Sequence, residues 1–376
     1  MPADDSGTDR PQDVIGWDVG GAHLKACWLH GGRVRDVAQW ACPLWQGLAH
    51  LEDALAQARA RWPQAMDRAV HAVTMSGEMV DLFADRADGV HRISQTLVAC
   101  LPGPVHLYAG PQHWVAPAQA AAHWPAIASA NWRACAQHTA ALLGRGLLID
   151  IGSTTTDVIA FDQGRVLGDS LSDRDRLASG ELVYQGVVRT PLCALAQHTV
   201  FQGQTLNVMN EWFATTADVY RLTGELDPAH DQQPTADGAD KSLPATRARL
   251  ARLVGCDARD GSDADWLAFA HTWRAAQCAE IAGQVRRVLD RHAGTPAQAG
   301  HLVAAGCGAF LVPSVLGGAL HGRPVLDYGR DVAPLPADPP ATLVAWTRVG
   351  APGVAVAALW RDDHHAEPAR TGRGCV

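Results

Sequence analysis

The sequence predicts a two-lobed α/β protein in which a duplicated unit surrounds a central cleft. Three observations carry that expectation. Two apolar hairpins, each with an acid and a glycine at its bend, recur 132 residues apart, at 14–29 and 147–161. A glycine turn, Gly306-Cys307-Gly308, follows an apolar stretch late in the chain. The length of 376 residues exceeds what one hydrophobic core usually serves.

Composition sets the outer limits. A hydrophobic fraction of 47% with only 19% charged residues excludes a disordered chain, because there is ample apolar surface to offset chain entropy. A net charge of −8 offers no broad basic face, so neither nucleic acid nor an anionic membrane is expected as a partner. Nine cysteines without a Cys-x-x-Cys pair read as free thiols in a reducing cytoplasm, and 17 histidines include no His-Glu-x-x-His metal motif. Only Lys25 and Lys241 are lysines among 31 basic residues, which makes those two positions worth following.

Residues 1–12 are polar and read as a disordered tail. The first lobe is expected over 13–145. It opens with strand 14–19, the turn at Gly20-Gly21 and a returning strand 24–29; a helix over 48–62 follows from Leu48, Leu51, Leu55 and Ala58 at helical spacing. A strand over 69–74 runs into Ser76-Gly77-Glu78, and an Ala-rich helix over 128–143, with Asn131 as its cap, links the lobes. The second lobe is expected over 146–330, with a substrate insertion at about 182–255 and a long helix over 264–292. The run 300–322 lacks any charged residue, but its glycines, proline and histidines suit a strand, turn and helix better than a membrane span. The segment 331–376 is read as a C-terminal segment with a short helix at about 351–360 and a flexible tail.

The bends carry the candidate chemistry. Asp18 before Gly20-Gly21, and Asp150 before Gly152, each pair a carboxylate able to hold Mg²⁺ with glycines that let backbone N–H groups approach a phosphate. The alternative for each alone is a tight hairpin with an Asx turn. Ser153, Thr154, Thr155 and Thr156 add four hydroxyls that fit phosphate oxygens without net charge. Gly306 and Gly308 suit close approach of a ligand, or of other backbone. In register, Lys25 falls on Asp157; Lys25 reads as a phosphate contact or a solvated strand lysine.

Two matched acid-glycine hairpins and a late Gly-x-Gly turn resemble the actin, sugar-kinase and Hsp70 superfamily, which implies an actin-like ATPase (ribonuclease H-like) fold and leaves ATP or ADP open as a ligand. The middle of the chain narrows this. Residues 180–191 (GELVYQGVVRTP), 210–220 (NEWFATTADVY), 237–242 (DGADKS), Val73-Thr74-Met75-Ser76-Gly77-Glu78 and Ser129-Ala130-Asn131-Trp132 resemble hydantoinase/oxoprolinase-related proteins of the tetrahydromethanopterin-linked one-carbon pathway. Their archaeal members form the furan-methanamine synthase family of methanofuran biosynthesis. Ser153 stands where the broader hydantoinase relatives carry a second glycine, and their long catalytic extensions are absent, which disfavours ATP-dependent ring opening.

The resemblance implies an alkyl transfer that joins an aminomethylfuran methanol diphosphate to the phenol oxygen of a γ-glutamyl tyramine or tyrosine compound, releasing diphosphate. Mg²⁺ on Asp18 and Asp150, helped by Lys25, Arg189 and the hydroxyls, would stabilise the leaving group. Glu181, Glu211 and Asp157 are the candidates for a base, and Asp237 with Lys241 for a lid. A small-molecule kinase, a hydantoinase-like hydrolase and a nucleotide-sensing binding protein are the alternatives.

Overall fold

The computed structural model describes residues 13–110, 114–168, 172–294, 299–317 and 320–365; the tails expected at 1–12 and beyond 365 lie outside them. The chain divides into two units, 1–138 with 333–376, and 139–332.

Unit 1 is organised by a six-stranded sheet ordered β3-β2-β1-β4-β5-β6. Its strands are β1 (Asp13–Val19), β2 (His23–His30), β3 (Arg33–Ala41), β4 (Val70–Met75), β5 (Val105–Tyr108) and β6 (Trp114–Val115). The first three form an antiparallel meander, while β4 runs parallel to β1 and β5 parallel to β4. All seven residues of β1 are buried, as a central strand covered on both faces requires. Helices Ala49–Arg61 and Arg86–Cys100 bury Leu51, Leu55, Val90, Ile93 and Leu97 against the sheet, and Asp85 caps the second by accepting from the Asp88 N–H.

The C-terminal segment is part of this unit. Its helix runs over Ala351–His365, longer than the expected 351–360, and Ala351, Val354, Ala355, Val356, Ala357 and Ala358 are fully buried. Small side chains let the helix lie almost on the strand backbone: a Cβ on Gly16 of β1 would stand 2.0 Å from the Gly353 carbonyl oxygen. No single helix among the described residues is long and apolar enough to cross a membrane.

Unit 2 repeats the arrangement with β7 (Gly146–Ile151), β8 (Thr156–Asp162), β9 (Arg165–Val166), β10 (Leu182–Val183), β13 (His301–Ala305) and β14 (Val325–Asp327). The order is β10-β8-β7-β13-β14, with β9 also on β8; β7 and β8 are antiparallel, and β13 and β14 continue parallel to β7. Two sheets that each begin with an antiparallel hairpin and continue with parallel strands on its first strand make this the duplicated actin-like fold expected from the sequence. The run 300–322 contributes β13 and its following turn to the core of unit 2, and forms no continuous helix among the described residues.

Helix Asp263–Arg291 backs the second sheet. Ser262 and Asp265 form a capping box at its start, and Trp266, Phe269, Ala270, Trp273, Gln277, Ile281, Val285 and Val288 make the buried stripe. The expected insertion at 182–255 is woven into this core: it holds the hairpin of β11 (His198–Phe201) with β12 (Gln204–Asn207), and helices Thr216–Leu222 and Leu243–Arg252. Phe201 stacks on Trp266 at 4.5 Å between ring centroids.

Two tests follow from the packing of unit 1. Gly16→Ala drives a methyl into the Gly353 carbonyl and is expected to cost about 3 kcal/mol, seen as a lowered Tm; an unchanged Tm would contradict this seating of the helix. Burial lowers His71 to about 4 and His138 to about 3, so both are neutral in the folded chain and take up protons when it unfolds at pH values from 6.5 down to about 4. The unfolded state binds more protons there, so stability falls as pH falls. His71 accepts from Trp17 Nε1 and reaches the Pro102 carbonyl oxygen at 2.9 Å, roles an amide can fill. In His71→Gln the slope of unfolding free energy against pH in that window is expected to drop by up to about 1.4 kcal/mol per pH unit; an unchanged slope would contradict the assignment.

Candidate functional site

The bend of the second hairpin, in unit 2, is held by backbone hydrogen bonds from two neighbouring loops. Ile151 at the end of β7 pairs with Thr156 at the start of β8, and the Gly152 N–H closes the turn on the Thr155 carbonyl at 2.8 Å. The outward carbonyls are then taken up by two neighbouring loops. Ile151 O accepts from the Gly308 N–H at 2.8 Å, Gly152 O from Val187 at 3.0 Å, and Ser153 O from both Val188 (3.1 Å) and Arg189 (2.9 Å).

Gly186 lets the second loop approach. A Cβ there would stand 2.5 Å from Gly152 O, Ser153 C and Thr154 N alike. Its own carbonyl accepts from Thr216 Oγ1 (2.9 Å) and from Gln277 Nε2 (3.0 Å), while Gln277 Oε1 accepts from Tyr220 OH at 2.5 Å. The long helix thereby fixes the loop that fixes the bend. The family-like run 180–191 contains Gly186, but nothing local in the sequence shows its contact. Gln277 had a readable signal: a lone polar residue on an apolar helical stripe.

The functional groups at this bend are of mixed character. Asp150 is buried, and Asp157 stands directly opposite it across the hairpin. Two carboxylates so placed repel, and the buried Arg176 supplies a counter-charge by pairing with Asp157 and, at 3.3 Å, with Asp173. The expectation that Asp157 acts as a base is therefore corrected: its charge is committed to Arg176, a partner the sequence did not flag. Thr156 Oγ1 donates to Gln185 O at 2.8 Å and is also structural. Arg189 Nη1 reaches Thr154 Oγ1 at 3.4 Å, and burial lowers its pKa from the usual guanidinium value. The Ser153 hydroxyl is buried with no hydrogen-bond partner among the described residues, and Tyr184 beside this loop is 65% exposed.

Gly306 and Gly308 were read as admitting either a ligand or other backbone, and the structure shows the backbone approach. Gly306 has φ +82, and a Cβ on it would meet Ile151 O at 2.2 Å and Asp150 Oδ1 at 2.5 Å; one on Gly308 would meet Ile151 Cγ2 at 2.5 Å. Backbone packing on the hairpin explains both glycines.

Glu181 is buried, accepts from Ser179 Oγ at 2.9 Å and lies 3.9 Å from His292 Nε2. Burial lowers His292, and Glu181 opposes that shift. Glu181 is thus an internal brace rather than an open base. Glu211 is exposed in the turn before helix Thr216–Leu222. Asp237 and Lys241 are not arranged as a lid. Asp237 pairs with Arg249 and Arg252, each at 3.1 Å, and Lys241 Nζ binds the Asp231 carbonyl and its Oδ1. Arg249 and Arg221 both hold the buried Asp218 at 2.8 Å, so the 237–242 segment is one edge of a structural ion network.

The first hairpin, within unit 1, has the same frame. Val19 pairs with Leu24, the Gly20 N–H donates to His23 O at 3.0 Å, and Val19 O accepts from the Ser76 N–H at 3.0 Å, as Ile151 O does from Gly308. A Cβ on Gly77 would come within 3.1 Å of Gly20 C and O, and one on Gly21 within 2.8 Å of Val80 Cγ1. Lys25 faces Asp18 across the strands with Nζ 3.9 Å from Oδ2. Asn131 Nδ2 reaches Ser76 Oγ at 3.5 Å, and Ser129, at φ +50, donates to buried Glu78 at 2.9 Å.

Metal fit separates the two bends. Among the described residues no three His, Cys, Asp or Glu side chains converge to hold a cation alone. Asp150, with the opposing charge of Asp157 taken by Arg176, suits Mg²⁺ held by one carboxylate together with ligand phosphates. Asp18 already faces an ammonium, so the expectation of a metal there is not supported.

Comparison with known proteins places the chain. It is 29% identical over 259 residues to the (4-{4-[2-(gamma-L-glutamylamino)ethyl]phenoxymethyl}furan-2-yl)methanamine synthase of Methanocaldococcus jannaschii, covering 69% of this chain and 76% of that one. The synthase of the same name from Methanococcus vannielii is 32% identical over 111 residues, 30% of this chain and 50% of that one. Among solved structures, a ROK family glucokinase from Streptomyces griseus with glucose and AMPPNP aligns with a TM-score of 0.46 at 13% identity, over 92% of this chain and 98% of its own. The (R)-2-hydroxyglutaryl-CoA dehydratase component A of Acidaminococcus fermentans aligns with a TM-score of 0.45 at 13% identity, over 95% and 100%. The hydantoinase/oxoprolinase model matches residues 69–319, more than half of the sequence, and the chain belongs to the hydantoinase/oxoprolinase family.

Proposed function

We propose that the protein is a condensing transferase of methanofuran-type cofactor biosynthesis, joining an aminomethylfuran methanol diphosphate to the phenol oxygen of a γ-glutamyl tyramine or tyrosine compound. The observation that carries this reading is the second bend: Asp150, the Ser153 hydroxyl without a partner among the described residues, and the Arg189 guanidinium at Thr154 lie around one glycine-clasped turn. The synthase name that the two archaeal relatives carry supports it.

In the reaction the furfuryl carbon–oxygen bond to diphosphate breaks, its electron pair leaves with the diphosphate, and the phenol oxygen forms the new ether bond. Arg189, in a site where burial already disfavours its isolated charge, is stabilised by the polyanionic leaving group and stabilises it in turn. Ser153 Oγ–H donates to a phosphate oxygen. Asp150 would hold Mg²⁺, which when bound neutralises charge on the departing diphosphate. The furan ring spreads positive charge from the reacting carbon, so the phenol attacks as the neutral hydroxyl and its proton passes to the diphosphate. No protein carboxylate is needed as base, in keeping with the commitments of Asp157 to Arg176 and of Glu181 to Ser179.

The test is to incubate the protein with the furan diphosphate, γ-glutamyl tyramine and Mg²⁺, and to measure the ether by mass and diphosphate by release. Ether formed with stoichiometric diphosphate is expected. Substrate-dependent ADP formation from added ATP, without ether, would replace this reading with a kinase. Two variants sharpen it. Asp150→Asn is expected to lower kcat/KM about a thousandfold and abolish Mg²⁺ dependence. Arg189→Met is expected to raise KM for the furan diphosphate about tenfold to a hundredfold, leaving KM for the phenol near its original value. Wild-type kinetics in either variant would remove that residue from the mechanism.

A further inference from the structure

Residues Gly152 to Thr155 at the second bend are only half-buried, so a ligand can reach the turn. Tyr184 belongs to the loop that clasps this turn, and its neighbours on both sides are tied down. Val183 pairs with Thr156 in the sheet, Gln185 O accepts from Thr156 Oγ1 at 2.8 Å, and Gly186 is pressed against the backbone of residues 152–154. The Gln185 N–H also donates to Val183 O at 2.7 Å, which closes a three-residue turn with Tyr184 at its centre. The Tyr184 side chain is 65% exposed although the backbone that carries it is fixed. A ring held rigidly in solvent forgoes the burial that its size would otherwise gain.

Distance decides what this ring can serve. Two residues of chain span at most about 7 Å, so Tyr184 starts within that reach of Gly186 and of the turn that Gly186 touches. Arg189 marks the anion side of the turn. Burial lowers its pKa and the Tyr184 phenol opposes that shift, so the phenol lies within electrostatic reach of the guanidinium. In the furan diphosphate a single methylene separates the ring from the phosphate oxygens. A diphosphate held by Ser153, Thr154 and Arg189 therefore brings its furan to the side of the turn where Tyr184 stands. All of these groups belong to unit 2.

We propose that the face of the Tyr184 ring is the platform on which the furan of the diphosphate substrate lies, and that it selects an aromatic, charge-delocalising alkyl group. The proposal deepens the transferase reading and rests on it for the identity of the substrate. As the carbon–oxygen bond to diphosphate breaks, positive charge spreads over the furan, and the negative face of the Tyr184 ring attracts it. The contact is stronger in the transition state than in the ground state, so it raises kcat as well as lowering KM. Both effects come from the ring, and the hydroxyl is dispensable.

Tyr184→Phe keeps the ring and Tyr184→Leu removes it, and at so exposed a position both variants are expected to keep the wild-type Tm. In Tyr184→Leu, KM for the furan diphosphate is expected to rise about threefold to tenfold and kcat to fall about tenfold, with acceptor KM within about twofold. Tyr184→Phe is expected to stay within about twofold of wild type in all three. Equal losses in the two variants would assign the effect to the hydroxyl, and a rise in acceptor KM alone would place the phenol on this ring. Either result overturns the proposal, as do wild-type kinetics in Tyr184→Leu.

A binding measurement tests the platform even if no ether forms. The probe is the phosphonate analogue of the furan diphosphate, with CH2 in place of the reacting oxygen so that it cannot ionise, titrated calorimetrically with Mg²⁺ beside inorganic diphosphate. The analogue is expected to bind at least about threefold more tightly than diphosphate, with that preference lost in Tyr184→Leu and kept in Tyr184→Phe. This pattern without any ether product keeps the platform while the transferase falls. Equal Kd values for the two probes, no binding of either, or a preference that persists in Tyr184→Leu overturns the platform.

Discussion

The carbonyl oxygens of residues 151–153, turned outward at the second hairpin bend, are the constraint on which unit 2 depends. Each must be satisfied, because a buried carbonyl without a donor costs about as much as a lost hydrogen bond. Gly308 serves one, and Val187, Val188 and Arg189 serve the others. Those donors can approach only where no Cβ intervenes, which fixes glycine at 186, 306 and 308. The same bonds that close the backbone set the Arg189 side chain at Thr154, so one local folding requirement fixes both the turn and the guanidinium beside it.

Duplication with divergence explains the division of labour. Val19 O and Ile151 O accept from equivalent turns after β4 and β13, and the acids Asp18 and Asp150 occupy equivalent strand ends. The residues opposite them differ in charge. Lys25 neutralises Asp18 directly, whereas Asp157 repeats the charge of Asp150 and requires Arg176 from another element. One hairpin becomes an ion pair and the other a carboxylate able to meet a cation, without change to the frame.

Much of the fold was legible because it rests on local periodicity. The hairpins, the helix starting near Ala49 and the long helix from Asp263 show apolar spacing that survives without tertiary information. The C-terminal helix was read as short and peripheral because a run of alanine and valine does not reveal which strand it covers; Gly16 and Gly353 meet only in three dimensions. At the site, the acids and hydroxyls were visible as residue types in a turn. What supports them was not: Arg176, which pairs with Asp157, and Gly186, which lets its loop reach the turn, come from separate parts of the chain. The carboxylates of Asp157, Glu181 and Asp237 looked open to chemistry for the same reason: their counter-charges and donors are invisible to local reading.

The central claim is that the second bend is a diphosphate site, and Ser153 tests it most directly because its hydroxyl is buried without a hydrogen-bond partner among the described residues. Removing that hydroxyl takes no hydrogen bond from the ligand-free chain, so Ser153→Ala is expected to keep or raise Tm. Calorimetric titration of wild-type protein and this variant with diphosphate in the presence of Mg²⁺ is the decisive measurement. The account predicts a Kd about tenfold higher in Ser153→Ala, the loss of one hydrogen bond to a charged oxygen. An unchanged Kd with an unchanged Tm would contradict it.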